Sequence, residues 1–137
     1  MVGSLAGMAP LQGAATYSGT KAGLRAFAYA LADEMRGTRI HVGVVSPGPI
    51  DTGFIMDEID KVEDIVFSQP MSSPGDVADA VLKIAAGDKL EIPMPAASGK
   101  LTNLGYLFPK LRRYLRPKLY AKGRKNKDKY RNRQVNE

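Results

Sequence analysis

The sequence predicts an α/β fold with a parallel sheet, on three observations. A helical apolar stripe leads into a short β-branched run with almost no polar alternation, and a second helix then opens on a capping signature. The 137 residues, 44% hydrophobic and 25% charged, have the balance of one compact folded domain.

Each element follows from its own residues. Met1 to Leu5 reads as the end of a strand, and Ala6 to Gly13 as a loop, given its Gly and Pro content. From about Ala15 to Arg36 the pattern is helical. Leu24, Phe27, Ala28, Leu31 and Met35 fall on one face, and Gly37 supplies a left-handed stop. Ile40 to Val45 reads as a strand covered on both faces, and Ser46-Pro47-Gly48-Pro49 breaks regular structure after it. Residues 51–67 mix acids with Phe54, Ile55, Met56, Ile59, Val62, Ile65, Val66 and Phe67. They suggest one or two short helices, serving either as core or as the wall of a pocket. Ser73-Pro74-Gly75-Asp76 starts a helix, with an N-cap Ser, Pro at the first position and an acid at the third. That helix carries Val77, Val81 and Ile84 on one face and stops at Gly87, before a short final strand at Leu90-Glu91-Ile92-Pro93.

Two and a half strands leave backbone groups in need of neighbours. The expectation is therefore the later half of a larger sheet, residues 1–99, followed by a separate extension, residues 100–137. Charge draws the same boundary. Residues 1–99 hold 7 Lys and Arg against 12 Asp and Glu, whereas residues 100–137 hold 13 against 2. In the extension, Leu101, Leu104, Leu107, Phe108, Leu111, Leu115 and Leu119 interleave with Lys110, Arg112, Arg113, Arg116 and Lys118. Pro109 and Pro117 must bend or split such a helix. It reads first as a helix docked over the pocket, and second as an amphipathic helix on an anionic membrane surface. Nucleic acid is disfavoured because aromatic interleaving is thin. Beyond Lys122 the chain reads as solvated and disordered.

Several chemistries are excluded. With no cysteine there is no disulfide, thiolate metal site or cysteine nucleophile, and the single histidine, His41, makes no metal cluster. No apolar run approaches the roughly 18–20 residues that cross a bilayer, and no secretory leader is legible, so a cytoplasmic protein is expected.

What remains is hydroxyl and ammonium chemistry. Tyr17 and Lys21 lie four apart on the first helix, hence on one face, and Ser4 lies thirteen residues before Tyr17. Pro47-Gly48-Pro49-Ile50-Asp51-Thr52 follows the buried strand, at the strand end where parallel sheets place ligands. A phenol titrates near ~10. An ammonium one turn away favours the phenolate and makes the tyrosine a workable acid/base. Ser4, brought opposite, would hydrogen-bond the same substrate oxygen. Thr52 and Asp51 compete as helix caps, so cap and ligand roles both stay open for Thr52.

The stretches Ser4-Leu5-Ala6-Gly7, Thr16-Tyr17-Ser18-Gly19-Thr20-Lys21-Ala22-Gly23-Leu24 and Val44-Val45-Ser46-Pro47-Gly48-Pro49-Ile50-Asp51-Thr52 together resemble the short-chain dehydrogenase/reductase family, over roughly Val2 to Pro93. The resemblance implies the C-terminal part of a Rossmann-like doubly wound parallel sheet. It makes Tyr17 the catalytic acid/base, Lys21 its modulator and a ligand of the nicotinamide ribose, and Ser4 the residue that orients the substrate. Pro47, Gly48, Ile50 and Thr52 would face the nicotinamide of NAD or NADP. Residues 54–67 would form the substrate lid, the substrate being a largely apolar alcohol or ketone, and the helix from Tyr17 to Arg36 would join a homo-oligomer. The family's Gly-rich turn after a first strand is absent from this sequence, as is the Asn of its tetrad. Weak cofactor binding and little turnover are therefore expected of this polypeptide alone. The alternative is a non-catalytic remnant that works through its basic extension.

Overall fold

A computed structural model describes residues 1–87 and 89–135, the last three by backbone alone. Helix α1, Ala15–Glu34, starts without a side-chain cap and ends before Gly37, whose φ of 81° is the left-handed stop its sequence position predicts. Strand β1, Val44–Pro47, is buried along its whole length. It pairs in parallel with β2, Glu91–Met94, with Val44 opposite Glu91 and Pro47 opposite Met94. On its other side Val2 makes a parallel bridge to Val45, and the Gly3 N–H donates to the Val45 carbonyl at 2.7 Å. The strand end predicted at the N-terminus is thus a single bridge.

β1 starts four residues later than its sequence suggests. Val44 is the first residue with a partner opposite, its N–H donating to the Leu90 carbonyl at 2.9 Å. Residues 40–42 precede the start of β2, and Ile40 is 62% exposed. At the other end the strand runs on through Pro47, which had read as part of the break, because Met94 stands opposite it.

Short turns follow: α2, Gly53–Met56, then 3-10 turns at Ile59–Lys61 and Asp64–Ser68. Helix α3, Pro74–Ala85, opens on a full capping box, with Ser73 Oγ accepting from the Asp76 N–H and the Asp76 carboxylate accepting from the Ser73 N–H. Its inward residues are Val77, Ala80 and Ile84, packed with Val45, Ile92 and Met94. Val81, expected inside, is 39% exposed, and Ala80 takes its place. Gly43 lets this helix approach, since a Cβ there would come within 2.7 Å of Ile84 Cγ2.

Helix α4, Ala96–Leu107, lies on β2 through Gly99, where a Cβ would collide with the Pro93 ring. Phe108 interrupts it and Pro109 opens α5, Pro109–Val135, so the basic extension is two helices, with Pro117 inside the second. The helix continues through the stretch beyond Lys122 that had read as disordered. Packing supplies the reason. Gly123 meets the backbone of Asp64 directly, Asn126 Nδ2 donates to the Phe67 carbonyl at 2.9 Å, and the Tyr130 ring lies 6.0 Å from the fully buried ring of Phe67.

Replacing Gly123 with Ala forces a methyl against the Asp64 carbonyl. Urea unfolding is expected to show a loss of about 1–3 kcal/mol, the usual cost of overpacking. Gly19→Ala, whose Cβ would meet nothing within 4 Å, should gain about 0.5–1 kcal/mol from helix propensity.

Candidate active site

Two glycines bring three segments together at the C-terminal end of β1. A Cβ on Gly7 would stand 2.6 Å from the Lys21 carbonyl oxygen, so the turn Leu5–Gly7 lies directly on the backbone of α1. A Cβ on Gly48 would come to 3.2 Å from both Leu5 Cδ1 and the Met94 carbonyl oxygen. The loop that carries Ser4 therefore touches the helix that carries Lys21 on one side and the Pro47–Pro49 turn on the other.

Within this arrangement the sequence-predicted residues divide. Tyr17 and Lys21 do meet, the Lys21 Nζ standing 5.7 Å from the centre of the Tyr17 ring. The same ammonium donates to the Val2 carbonyl at 3.2 Å, which ties α1 to the first bridge of the sheet. Tyr17 is 46% exposed, and its hydroxyl makes no hydrogen bond among the described residues. Ser4 caps the turn that follows it, its Oγ accepting from the Ala6 N–H at 3.1 Å, which leaves the hydroxyl hydrogen free to donate outward. No direct bond joins Ser4 to Tyr17 among the described residues.

The turn after β1 is held by backbone pairing. Gly48 N–H donates to the Met94 carbonyl at 2.7 Å, and Ile50 bridges Ser72, with the Asp51 N–H on the Ser72 carbonyl at 2.9 Å. Thr52 occupies the N-cap position of α2, yet its side chain makes no cap hydrogen bond. Of its two possible roles, the side-chain cap is thus not formed. Beside the turn, Gln69 Oε1 is buried without a hydrogen-bond partner, and it would lie 3.4 Å from a Cβ on Gly48. A turn with no side chain at Gly48, an orphaned carbonyl beside it and a free hydroxyl at Thr52 fit an amide-bearing ligand such as the nicotinamide carboxamide.

Sequence reasoning missed the residues that hold this helix in place. Along α1, Tyr17, Lys21, Arg25 and Tyr29 recur every four positions, and the second pair grips β2. Arg25 Nη2 and Nε donate to the Glu91 carboxylate at 2.7 and 2.9 Å, the Tyr29 hydroxyl donates at 2.7 Å, and the buried Ser46 hydroxyl donates at 2.7 Å. Arg25 also stacks over the Tyr29 ring at 4.8 Å. Burial alone pushes the Glu91 carboxyl up, but the three donors outweigh it and hold the group below the usual glutamate range. Desolvation and the same carboxylate raise Tyr29, and the hydrogen bond to Glu91 raises Arg25. The four-residue recurrence was legible. Its acidic partner 66 residues away was not.

Of the segment 54–67, expected as core or as pocket wall, part is core. Ile59 and Phe67 are buried, whereas Phe54 is 91% exposed. Lys127 of α5 inserts beneath the buried part. Its Nζ donates to the Val62 carbonyl at 2.6 Å and to Asp64 Oδ1 at 3.3 Å. Arg131 pairs with Asp60, and the Tyr120 hydroxyl donates to Glu63 at 3.2 Å. The hydrogen bond from Arg124, helped by Lys127, holds the Asp64 carboxyl low.

Residues 1–63 match the family model described as short chain dehydrogenase. The chain is 40% identical over 81 residues to 3-oxoacyl-(acyl-carrier-protein) reductase of Aggregatibacter actinomycetemcomitans, covering 57% of this chain and 33% of that protein. It is 34% identical over 89 residues to acetoacetyl-CoA reductase of an Acinetobacter strain, covering 62% of this chain and 36% of that one. The chain thus spans about a third of the length of these relatives.

Glu91 gives the network a signed pH dependence. Its folded value lies below the unfolded one, so on acidification the unfolded state takes the proton first. The stabilisation is complete above the ordinary glutamate range and is lost as pH falls through the lowered value. Glu91→Gln should cost about 1–3 kcal/mol at neutral pH, because the carboxylate's donors lose a charged acceptor. Below about pH 4 the difference from the parent chain should shrink, as read by urea titrations at the two pH values.

Proposed function

We propose that this chain, of short-chain dehydrogenase type over residues 1–63, supplies the acid/base side of an oxidoreductase. The reaction interconverts a secondary alcohol and a ketone on a largely apolar small molecule. The observation that carries the reading is Lys21, whose ammonium is steered by the Val2 carbonyl to the face of an exposed Tyr17. That places a fixed cation 5.7 Å from the centre of the ring whose hydroxyl is proposed to give and take the proton. The tyrosine, half open to solvent and with no internal partner for its hydroxyl among the described residues, is the group able to reach a ligand.

In the reducing direction the Tyr17 hydroxyl gives its proton to the carbonyl oxygen of the substrate, and in the oxidising direction it recovers that proton. Ser4 donates a second hydrogen bond to the same oxygen, since its own Oγ is already oriented by the Ala6 N–H. NAD or NADP would be held by Lys21, the Pro47–Gly48 turn, Ile50 and Thr52, and would supply or take up the hydride. Gln69 Oε1, orphaned beside Gly48, joins that set as an acceptor for an amide. Two relatives are named as reductases of a 3-oxoacyl and an acetoacetyl compound, which supports a ketone on an acyl-like substrate here. The exposed Phe54 and the half-buried Ile55 and Met56 offer it apolar surface. Phe27, 57% exposed on α1, suits a contact with a second copy of the chain.

The test is NADH- or NADPH-dependent reduction of a panel of apolar ketones, followed by nicotinamide absorbance. Little turnover is expected of this polypeptide alone, and Tyr17→Phe is expected to abolish it with its circular dichroism unchanged. Lys21→Met should weaken both cofactor binding and turnover. Full activity in the Tyr17→Phe protein would remove the phenol from the chemistry. Failure to reduce any ketone with either cofactor would remove the activity itself from this chain.

A further inference from the structure

The basic extension divides into two parts with different surroundings. In its far part Arg124, Lys127 and Arg131 are paired internally with Asp64 and Asp60. Its near part makes no such pair among the described residues. From Lys100 to Lys118, helix α4, the Phe108 corner and the first turns of α5 leave Leu101, Leu104, Leu107, Phe108, Leu111 and Tyr114 between 43% and 71% exposed. Lys100, Lys110, Arg112, Arg113 and Lys118 accompany them, and none makes a salt bridge among the described residues. The sequence holds no acid between Glu91 and Asp128.

We propose that this near part, α4 with the start of α5, docks on an anionic phospholipid surface. Charge selects the occupant. A second copy of the same face would set cations against cations. A nucleic acid would pair the cations and leave five aliphatic and phenylalanine side chains without a use. An anionic bilayer interface accommodates both, with apolar side chains entering the boundary of the acyl region and Lys and Arg reaching the headgroups. Tyr114, with Lys118 Nζ 6.0 Å from its ring centre, belongs at the headgroup level. No helix of the described residues is long and apolar enough to cross a membrane, so the contact is with one face of the bilayer. The proposal is independent of the oxidoreductase reading, since it uses none of the residues placed at the candidate site.

The full 137-residue chain is sedimented with phosphatidylserine–phosphatidylcholine vesicles and with phosphatidylcholine vesicles alone, at low and high salt. Binding is expected only with phosphatidylserine and should weaken as salt screens the charges. Lys110→Glu with Lys118→Glu should cut the partition coefficient by at least ~10-fold, and Leu104→Ser with Leu107→Ser should also reduce it. The sequence contains no tryptophan, so Phe108→Trp installs a single reporter whose emission should shift to the blue on vesicles. That readout does not depend on the multiply substituted chains folding. The proposal is overturned by absence of phosphatidylserine-dependent sedimentation. It is equally overturned by sedimentation with unmoved tryptophan emission, or by tight binding of a single-stranded oligonucleotide without vesicle binding.

Discussion

The carboxylate of Glu91 is the constraint around which the rest of the molecule is arranged. It stands on β2, is nearly withdrawn from water, and receives donors from Arg25 and Tyr29 on α1 and from Ser46 on β1. A buried charge is costly unless its lone pairs are all met. Here both oxygens are occupied, and the group stays ionised. Three elements that would otherwise touch only through a small sheet are thereby fixed in relative position. The consequence reaches the candidate site, because Arg25 lies one helical turn beyond Lys21, and Lys21 one turn beyond Tyr17. A rotation of α1 that reoriented Tyr17 would also pull Arg25 out of its two-pronged grip on the carboxylate.

The same economy of charge explains the basic extension. Read as a sum, its cations ask for an external polyanion. The structure meets some of them from within the chain, Asp60 pairing with Arg131 and Asp64 with Arg124 and Lys127. Lys127 is the informative member. A lysine rarely lies inside a fold, and here it does so because two carbonyls and a carboxylate ring its ammonium. The segment 59–68 is therefore held by the chain's own C-terminal helix, whereas Phe54 beside it is 91% exposed. The near part of the extension makes no such ion pair among the described residues, and it is also where the apolar side chains are outside.

Much of this was legible, and what was not has physical causes. The helix stop at Gly37, the capping box of Ser73 and Asp76 and the Tyr17–Lys21 pair are local patterns, and each is found where its spacing puts it. Strand ends depend on what stands opposite, so β1 begins at Val44 rather than Ile40, because Glu91 is where its partner begins. The helix beyond Lys122 is set by contacts with residues some sixty positions earlier, and local composition carries no trace of them. Val81 and Ala80 exchanged places for a similar reason. Helical periodicity defines a face only to within a residue, and the neighbouring sheet decides which side chain fits under it.

Gly7 and Gly48 show how far a loop's composition can mislead about its purpose. A run such as Ala6-Gly7-Met8-Ala9-Pro10 reads as punctuation, a place where regular structure stops. In the fold neither glycine has the positive φ that would make flexibility its function. Each is small because another backbone or side chain occupies the space of its Cβ: the Lys21 carbonyl for Gly7, Leu5 and the Met94 carbonyl for Gly48. The two contacts share the turn Leu5–Gly7, so the serine loop is clamped between the helix of Lys21 and the turn after β1. A side chain at either glycine would push the serine loop away from one of these two neighbours. The small residues are thus part of what aligns Ser4, Lys21 and the Pro47–Thr52 turn, and the chemistry proposed for them rests on that absence of bulk as much as on the polar groups themselves.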